Sequence, residues 1–456
     1  QPLARSGQPW TAWTPAANPP HPYGGVTDLT GEAAVTATGV WAGRPDLSDI
    51  DGFWTAPISE RAAGFAALRE HEPIPFYEEP EFAYFPRGAG FYALTRHADV
   101  VEASRNPAVF TSGQGSTSVT DMPPEFREFF GSMIEMDDPR HARLRRIVSR
   151  GFTPRRLGAL VDEVAVVARR IVDDVVEKGG CDAVTEIAAR LPLKIVCDLM
   201  GVPASQHGFV FDRTNVILGA SDPEYVPDAE NIGVALLQAG SDLAALMQDL
   251  GRHRMEHPTD DVVSALVNAE VDGERLTPDE LGSFFILLVV AGNETTRNAI
   301  SWGLHLLTEH PDQRSIWLAD LDGVTPTAVE EIVRLASPVV FMRRTLSRDA
   351  ELGGQRLPAG AKVGLFYWAA NRDPAVFPDP DRFDVRRSPN NHVGFGGPGP
   401  HFCLGAHLAR REMAVMFREL LTRVPDIHAT APPQRLRSMF INGIKHLPVA
   451  FTPGRR

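Results

Sequence analysis

Apolar residues recur at helical spacing over long stretches of this chain. Between Arg155 and Met247 they return about every three to four positions, which is the spacing of one face of an α-helix. A second stretch begins at Thr277-Pro278-Asp279-Glu280, which combines an N-cap residue, a proline in the first turn and first-turn acids. The next strong breaker is Pro311, so this pattern predicts one long helix that ends near Glu309.

Shorter segments predict the remaining elements. Gly and Pro clusters interrupt the helical pattern at residues 201–203 and 221–227. Alternating or β-rich runs predict strands, Ser/Gly/Pro-rich runs predict loops, and periodic runs predict further helices. We expect helices at His97–Arg105, from Pro139 onward and at Pro326–Leu335, strands at Phe91–Thr95, Glu351–Leu357 and Lys362–Phe366, and irregular segments at Thr111–Pro124 and Asn371–Asp384.

Charge and cysteine content narrow the classes of protein. The 456 residues carry 45 basic and 58 acidic side chains, a net charge of −13, which argues against nucleic acid as a general partner. Only three cysteines are present, Cys181, Cys197 and Cys403. This count does not suggest a disulfide framework, so we expect a reducing cytoplasm.

Membrane and targeting signals are weak. No run reaches the roughly 18–20 apolar residues that a spanning helix needs. Residues 1–23 lack the basic-then-apolar order of a signal peptide. Residues 1–45 are rich in Pro, Gly, Ala and Trp and predict an extended arm over the surface or a partly mobile tail, with residues 46–456 as the folded domain. We therefore expect no membrane span.

Cys403 is the most informative residue. It lies in Phe395-Gly396-Gly397-Pro398-Gly399-Pro400-His401-Phe402-Cys403-Leu404-Gly405, just before a helical run from Ala406 to Leu421. Glycines allow close approach of backbone to a flat cofactor, and a helix N-terminus stabilises a thiolate. A lone cysteine in a Gly-rich turn is, however, most often a small buried residue.

Two distant motifs change that interpretation. Ala291-Gly292-Asn293-Glu294-Thr295-Thr296 lies inside the long apolar helix. Glu331-Ile332-Val333-Arg334 lies on a later helix, with Arg382-Phe383 downstream. In this order the three motifs resemble the cytochrome P-450 family over about residues 50–456. The resemblance implies a mainly α, triangular single domain with a smaller β-rich lobe.

The resemblance also implies haem b with Cys403 as the axial thiolate ligand of its iron. Phe395 would shield the sulfur, although it lies eight residues before Cys403 rather than the family's seven; Gly399 keeps the usual offset. Cations should converge on the two haem propionates. The four positions that match the family pattern are His141, Arg145, Arg344 and His401.

The long helix would supply the oxygen-binding side. Ala291 and Gly292 lack bulk, which would leave space for dioxygen and substrate. Glu294 and Thr295 form an acid–alcohol pair suited to proton delivery. The alternative is a threonine that bonds back to a helix carbonyl beside a solvated glutamate.

Glu331 and Arg334 lie three residues apart, hence on one helix face. In the family this pair is buried and joins an arginine of the following meander, which corresponds to Arg382 here. The resemblance implies a structural role for the three residues, fixing the layer that carries the cysteine loop.

Finer similarities point to a subgroup. The longer Gly-rich loop and the runs Asn293–Asn298, Ser337–Arg344 and Phe440–Lys445 resemble actinobacterial members that oxidise terminal methyl groups of branched lipids and sterol side chains. In such enzymes an apolar funnel delivers a chain end to the iron. Plausible lining residues, for which ordinary core packing is the alternative, are Val339, Phe341, Phe440 and Ile441.

The sequence therefore predicts a monooxygenase that inserts one oxygen atom of O2 into an aliphatic C–H bond of an apolar small molecule. No flavin domain or cysteine quartet is present, so a ferredoxin and ferredoxin reductase are implied as electron donors. A docking patch for the ferredoxin is expected at Arg143, Arg146 and Arg410 or Arg411. The alternatives are a tailoring oxidase of polyketide, macrolide or terpene biosynthesis, and a non-catalytic haem sensor or binding protein.

Overall fold

Helices make up most of the fold. The structure is a computed structural model that describes residues 44–81, 87–149, 154–228, 231–268 and 275–455. In chain order the helices are α1 (Ile58–His71), α2 (His97–Arg105), α3 (Pro124–Gly131), α4 (Arg140–Ser149), α5 (Pro154–Val175), α6 (Arg190–Met200), α7 (His207–Gly219), α8 (Ile232–Glu256), α9 (Val262–Val267), α10 (Pro278–Glu309), α11 (Pro311–Ala319), α12 (Leu321–Ala336), α13 (Tyr367–Ala370) and α14 (Ala406–Arg423).

The strands are short and form a smaller part of the molecule. A five-stranded sheet has the order β1-β2-β8-β5-β3, in which β2 and β8 run parallel and β5 runs antiparallel to β8. The strands are β1 (Phe76–Tyr77), β2 (Phe91–Leu94), β3 (Phe110–Thr111), β4 (Gly180–Asp182), β5 (Phe341–Leu346), β6 (Ala350–Leu352), β7 (Gln355–Leu357), β8 (Lys362–Phe366), β9 (His428–Ala429), β10 (Gln434–Arg435), β11 (Ile444–His446) and β12 (Pro448–Ala450). This mainly α architecture with a β-rich part confirms the predicted fold class.

Helix α10 is the central element, and its predicted limits are confirmed. The Thr277 hydroxyl accepts from the Glu280 N–H and the Glu280 carboxylate accepts from the Thr277 N–H, both at 3.1 Å, which is a complete capping box. The helix ends at Glu309, two residues before Pro311. It packs against α6, α8, α12 and α14, so the long apolar pattern marks a helix surrounded by others.

Two predicted elements differ from the structure. Helix α12 begins at Leu321 rather than at Pro326, because Asp320 caps it by accepting the Gly323 N–H at 2.8 Å. The predicted single strand at 351–357 is a hairpin. Gly353 and Gly354 both have positive φ, 57° and 81°, and they separate β6 from the antiparallel β7.

The Glu331–Arg334 pair is fully buried. It connects α12 to the irregular segment at residues 371–387, which we call the meander. Arg334 donates to both oxygens of Glu331 at 2.8 Å and also to the carbonyls of Asn371 and Pro380. The second arginine at Glu331 is Arg387, whose Nε donates at 3.0 Å.

Arg382, predicted from the family pattern as that second arginine, has an exposed side chain. It contributes its backbone carbonyl, which accepts from Arg334 at 3.3 Å and from Arg387 at 3.0 Å. The Arg387 N–H donates to the Asp384 carbonyl at 2.9 Å, and the turn that this bond closes carries the Arg387 guanidinium that reaches the buried carboxylate.

The predicted arm, residues 1–45, lies almost entirely outside the described residues, so the division at residue 45 stays a prediction. Among the helices that the structure does describe, none combines the length and apolar character that crossing a bilayer demands.

Candidate active site

The loop that carries Cys403 is folded tightly against its neighbours. Cys403 N–H donates to the Phe395 carbonyl at 3.0 Å, which closes the Gly-rich loop. Gly396 has a φ of +88°, a conformation that favours glycine. A side chain at Gly399 would place its Cβ 2.3 Å from the Ser104 carbonyl of α2. The glycines therefore let the loop lie directly on α2.

Cys403 is exposed on one side and enclosed on the others. Burial raises the pKa of its thiol, whereas hydrogen bonds from the backbone N–H groups of Gly405 and Ala406, at the start of α14, oppose that rise. The positive charges of Arg145 and Arg410 act in the same direction as these N–H groups. The loop thus surrounds the sulfur with groups that stabilise a thiolate.

The other two cysteines lack such an environment. Cys181 lies in β4 and Cys197 is buried inside α6. Burial raises the pKa of each thiol to about 12. Cys403 is therefore the candidate metal ligand of the three.

The four predicted propionate partners converge beside the loop. The rings of His141 and His401 lie 4.3 Å apart between centroids. Burial, followed by the charges of Arg344, His141 and Arg145, lowers the pKa of His401 to about 3. Within the described residues, neither Arg145 nor Arg344 has a carboxylate within salt-bridge distance.

This pocket fits the anionic edge of haem. Arg145 donates to the carbonyls of Pro400 and Phe402 at 2.8 and 2.9 Å, and Arg344 donates to its neighbour's carbonyl. The Nε2 atom of His141 is buried with no hydrogen-bond partner. Among the described residues, an anion at this position would meet two guanidinium groups, Arg145 and Arg344, that have no carboxylate partner, and this is the counter-charge that two propionates supply.

Ala291 and Thr295, four residues apart, share one accessible face of α10. Ala291 is exposed, and Thr295 is half-buried. Gly292 faces α6, because a Cβ on this residue would lie 3.5 Å from the Val196 side chain. The Thr295 hydroxyl donates to the Ala291 carbonyl at 2.7 Å, the back-bonded arrangement that the sequence left open.

Glu294 is turned away from Thr295 and is only 1% exposed, not solvated. It pairs with Arg297 and accepts from the Asn298 side chain at 2.9 Å, while its Oε2 has no partner. Arg297 donates in turn to Asn215 of α7 at 2.8 Å. Sequence reasoning missed this network, although Arg297 and Asn298 follow Glu294 at helical i+3 and i+4 spacing.

The four predicted lining residues divide into two kinds. Val339 and Phe440 are half-buried, whereas Phe341 and Ile441 are each 1% exposed. Val339 and Ile441 pair through an isolated antiparallel bridge, and the Phe341 ring packs against Phe440 with centroids 5.6 Å apart. Phe341 and Ile441 therefore belong to the core that supports Val339 and Phe440.

A further acid, Glu412 of α14, was not singled out from the sequence. It is 3% exposed and hydrogen-bonds to Thr296 of α10. Burial raises its pKa to about 8, and the Thr296 hydrogen bond only partly opposes this rise. The neutral acid is the form that the fold favours near neutral pH.

We expect stability to fall with rising pH because of Glu412. The unfolded chain releases this proton near the ordinary value of 4.5, whereas the folded protein keeps it to about 8. Between these values the unfolding free energy should fall by up to about 1.4 kcal/mol per pH unit. Urea midpoints of Glu412→Gln should show a flatter pH profile than the wild type. Glu70→Gln, at a side chain 76% exposed, should leave the slope unchanged, and equal slopes in all three proteins would contradict the assignment.

The fold and the thiolate loop define a class of haem protein. A family model described as cytochrome P-450 matches residues 243–441, which span α12 and Cys403 together with most of α8 and all of α10. Members of that family also match most of the chain. The chain belongs to the cytochrome P-450 family and is a haem-thiolate monooxygenase.

Particular relatives are close in sequence. The methyl-branched lipid omega-hydroxylase of Mycobacterium tuberculosis (strain ATCC 25618 / H37Rv) is 50% identical over 410 residues, 89% of this chain and 94% of that enzyme. The steroid C26-monooxygenase of Mycolicibacterium smegmatis is 39% identical over 400 residues, 87% of this chain and 91% of that enzyme. The structure of a Mycobacterium marinum cytochrome P-450 in complex with pseudoionone gives a TM-score of 0.84 at 41% identity, covering 90% of this chain and all of that one.

Proposed function

We propose that this protein hydroxylates a terminal methyl group of a branched lipid, terpenoid or sterol side chain, with two electrons from a ferredoxin and its reductase. The observation that carries the substrate proposal is the 50% identity, over 89% of the chain, to a methyl-branched lipid omega-hydroxylase. The steroid C26-monooxygenases at lower identity support the same broad substrate class.

The residues that would hold haem are those of the cysteine loop and the cationic pocket. Cys403 would bind the iron through its sulfur, and His141, Arg145, Arg344 and His401 would bind the propionates. When bound, haem supplies the iron centre at which dioxygen is reduced and one oxygen atom is inserted into a C–H bond. The backbone N–H groups at the start of α14 hold negative charge on the sulfur.

Thr295 would deliver protons from its Oγ1 atom. The hydroxyl is half-buried beside the exposed Ala291, so it can bind a water molecule while it donates to the Ala291 carbonyl. Glu294 does not contact it directly, since its carboxylate is held by Arg297 and Asn298. We therefore assign Thr295 the direct contact and Glu294 a position behind it in the proton path.

Thr295→Ala should uncouple oxygen consumption from product formation. NADH use should continue while hydrogen peroxide replaces product, because the reacting oxygen loses its proton donor. General acid–base groups contribute about 10²–10⁴-fold to a step, so product per NADH should fall on the order of 10-fold or more. Thr295→Ser keeps the hydroxyl and serves as the control. Unchanged coupling in the alanine variant would remove Thr295 from the proton path.

The substrate test rests on the apolar wall formed by Val339 and Phe440. Each methylene buried there contributes roughly 0.8 kcal/mol, so affinity should rise with chain length until the site is filled. The experiment is a series of spectral titrations with matched straight-chain and methyl-branched fatty acids, sterols and macrolides, followed by mass analysis of the products. Hydroxylation at a terminal methyl supports the proposal. Tight binding and turnover of a macrolide alone would indicate the tailoring oxidase, and binding without product would indicate a sensor.

Electron donors would dock on the face that carries the cysteine loop. A cleft of about 390 Å³ lies there between α4 and the loop, with Arg145 and Arg146 in its lining. Arg143 donates to Glu280 and Arg410 to Glu330, and both side chains are partly buried. Arg146 and Arg411 have exposed side chains, and this exposure makes them the candidates.

Arg146→Glu and Arg411→Glu should each raise the apparent KM for ferredoxin, and the effect should shrink at high salt because surface charges are screened. Substrate titrations should not change. Equal effects on ferredoxin and substrate would show that this face is not the docking site.

A further inference from the structure

A cluster of charged and aromatic side chains lies behind the cysteine loop, where α12 meets α14. Glu330 of α12 accepts from Arg410 Nε at 2.5 Å and from Arg410 Nη2 at 2.8 Å, a bidentate contact. His392 lies within hydrogen-bond distance of the same carboxylate, with Nε2 at 2.9 Å from Oε2. Because the Gly394 N–H donates to Nδ1 of this histidine, Nε2 carries its hydrogen and donates to Glu330.

This cluster holds the aromatic residue of the loop. The Arg410 guanidinium lies over the Phe395 ring, 4.3 Å from the ring centroid, and the His392 ring lies 5.9 Å from the same centroid. Phe395 in turn accepts the Cys403 N–H through its carbonyl. Arg410 therefore touches the residue that is hydrogen-bonded to the candidate iron ligand, and Glu330 fixes the orientation of Arg410.

Arg410 is also one of the two positive charges that act on the Cys403 sulfur. The first, Arg145, is placed to be engaged by a propionate when haem is bound. Arg410 instead contacts Phe395 and Glu330, with 32% of its side chain exposed. Its counter-charge is therefore a carboxylate of the protein, Glu330, and not a propionate of the cofactor.

We propose that Arg410, held by Glu330 and stacked on Phe395, is a positioning residue that sets the reduction potential of the haem through the Cys403 thiolate. This inference rests on the proposed ligation by Cys403. A positive charge near the ligand favours the reduced, more electron-rich state, and the Glu330 carboxylate partly cancels it.

The proposal predicts opposite signs for the two partners. Removing the charge of Arg410 leaves the Glu330 carboxylate uncompensated, so reduction should become harder. Neutralising Glu330 leaves the positive charge uncancelled, so reduction should become easier. A purely structural loosening of the loop would move both variants in the same direction, because both break the same contact.

The test measures the midpoint reduction potential of the haem-loaded protein by spectroelectrochemistry, without a redox partner. For Arg410→Gln we expect on the order of a tenfold shift in the reduction equilibrium toward the oxidised state, about 59 mV for one electron. Glu330→Gln should shift in the other direction. Arg418→Gln is the matched control, because Arg418 pairs with Asp322 between the same two helices at an exposed site.

The carbon monoxide difference spectrum keeps the two levels of proposal distinct. If the haem-loaded wild type shows no thiolate band, the assignment of Cys403 is wrong. If the band is present but neither variant changes the reduction potential, only the inference about Arg410 is wrong. Shifts of the same sign would overturn it as well. If Arg410→Gln does not bind haem, the comparison uses Arg410→Lys, which keeps the positive charge. The reduction potential of Arg410→Lys must then stay near that of the wild type, and the potential of Glu330→Gln must be higher than both.

Discussion

Cys403→Ala should abolish the absorption band near ~450 nm that the reduced, carbon monoxide-bound protein shows when a thiolate binds haem iron. The reason lies in the loop, where the N–H groups of Gly405 and Ala406 and the nearby arginines stabilise charge on this sulfur. Product formation should be lost together with the band, because no other described cysteine has such surroundings.

Cys181→Ala is the matched control for this experiment. Cys181 lies in β4, and burial raises the pKa of its thiol to about 12, so its removal should leave the spectrum and activity intact. A Cys403→Ala protein that kept the band would show that another group binds the iron.

Glu331→Ala should have the largest effect on stability. The carboxylate has no exposed surface and accepts from Arg334, Arg387 and Asn390, and from the backbone of Asp384. Removing one partner of a buried pair costs about 3–5 kcal/mol because the other charge is left uncompensated. Urea unfolding and haem content after purification measure the loss.

An exposed ion pair provides the comparison. Arg44 and Glu72 pair at 2.7 Å, with side chains 47% and 49% exposed. Such pairs contribute about 0–1 kcal/mol, so Glu72→Ala should shift the urea midpoint little. Similar losses in the two variants would mean that the buried network does not organise the fold.

The parts of the fold that follow from local rules were predictable from the sequence. The limits of α10 follow from Thr277-Pro278 at one end and Pro311 at the other, and the cysteine loop from its glycines. The start of helix α12 was predicted five residues too late, because Thr325-Pro326 has the composition of a helix start. The structure shows that Asp320 had already begun the helix, and Pro326 is tolerated in its early turns.

The partners of charged residues were harder to predict, since they depend on chain segments distant in sequence. Arg410 was expected to face a redox partner, yet its carboxylate, Glu330, lies 80 positions away. Arg387, not Arg382, donates to Glu331. The sequence could not identify it, because an irregular segment has no periodic pattern that shows which side chains are buried. Spacing within a helix predicts which of its own side chains lie next to each other, but it does not predict which loop residues will contact them.

The bridge between Val339 and Ile441 has an evolutionary consequence. It joins the segment just before β5, which carries Val339, to the segment that carries Phe440 and Ile441, and the Val340 N–H also donates to the Phe440 carbonyl at 2.8 Å. A substitution on one segment should therefore affect the other, so that in the proposed substrate site their effects on selectivity should not simply add. Descendants of this enzyme that acquire a new chain-length preference should carry paired changes on both segments, with the order of the two steps constrained by epistasis.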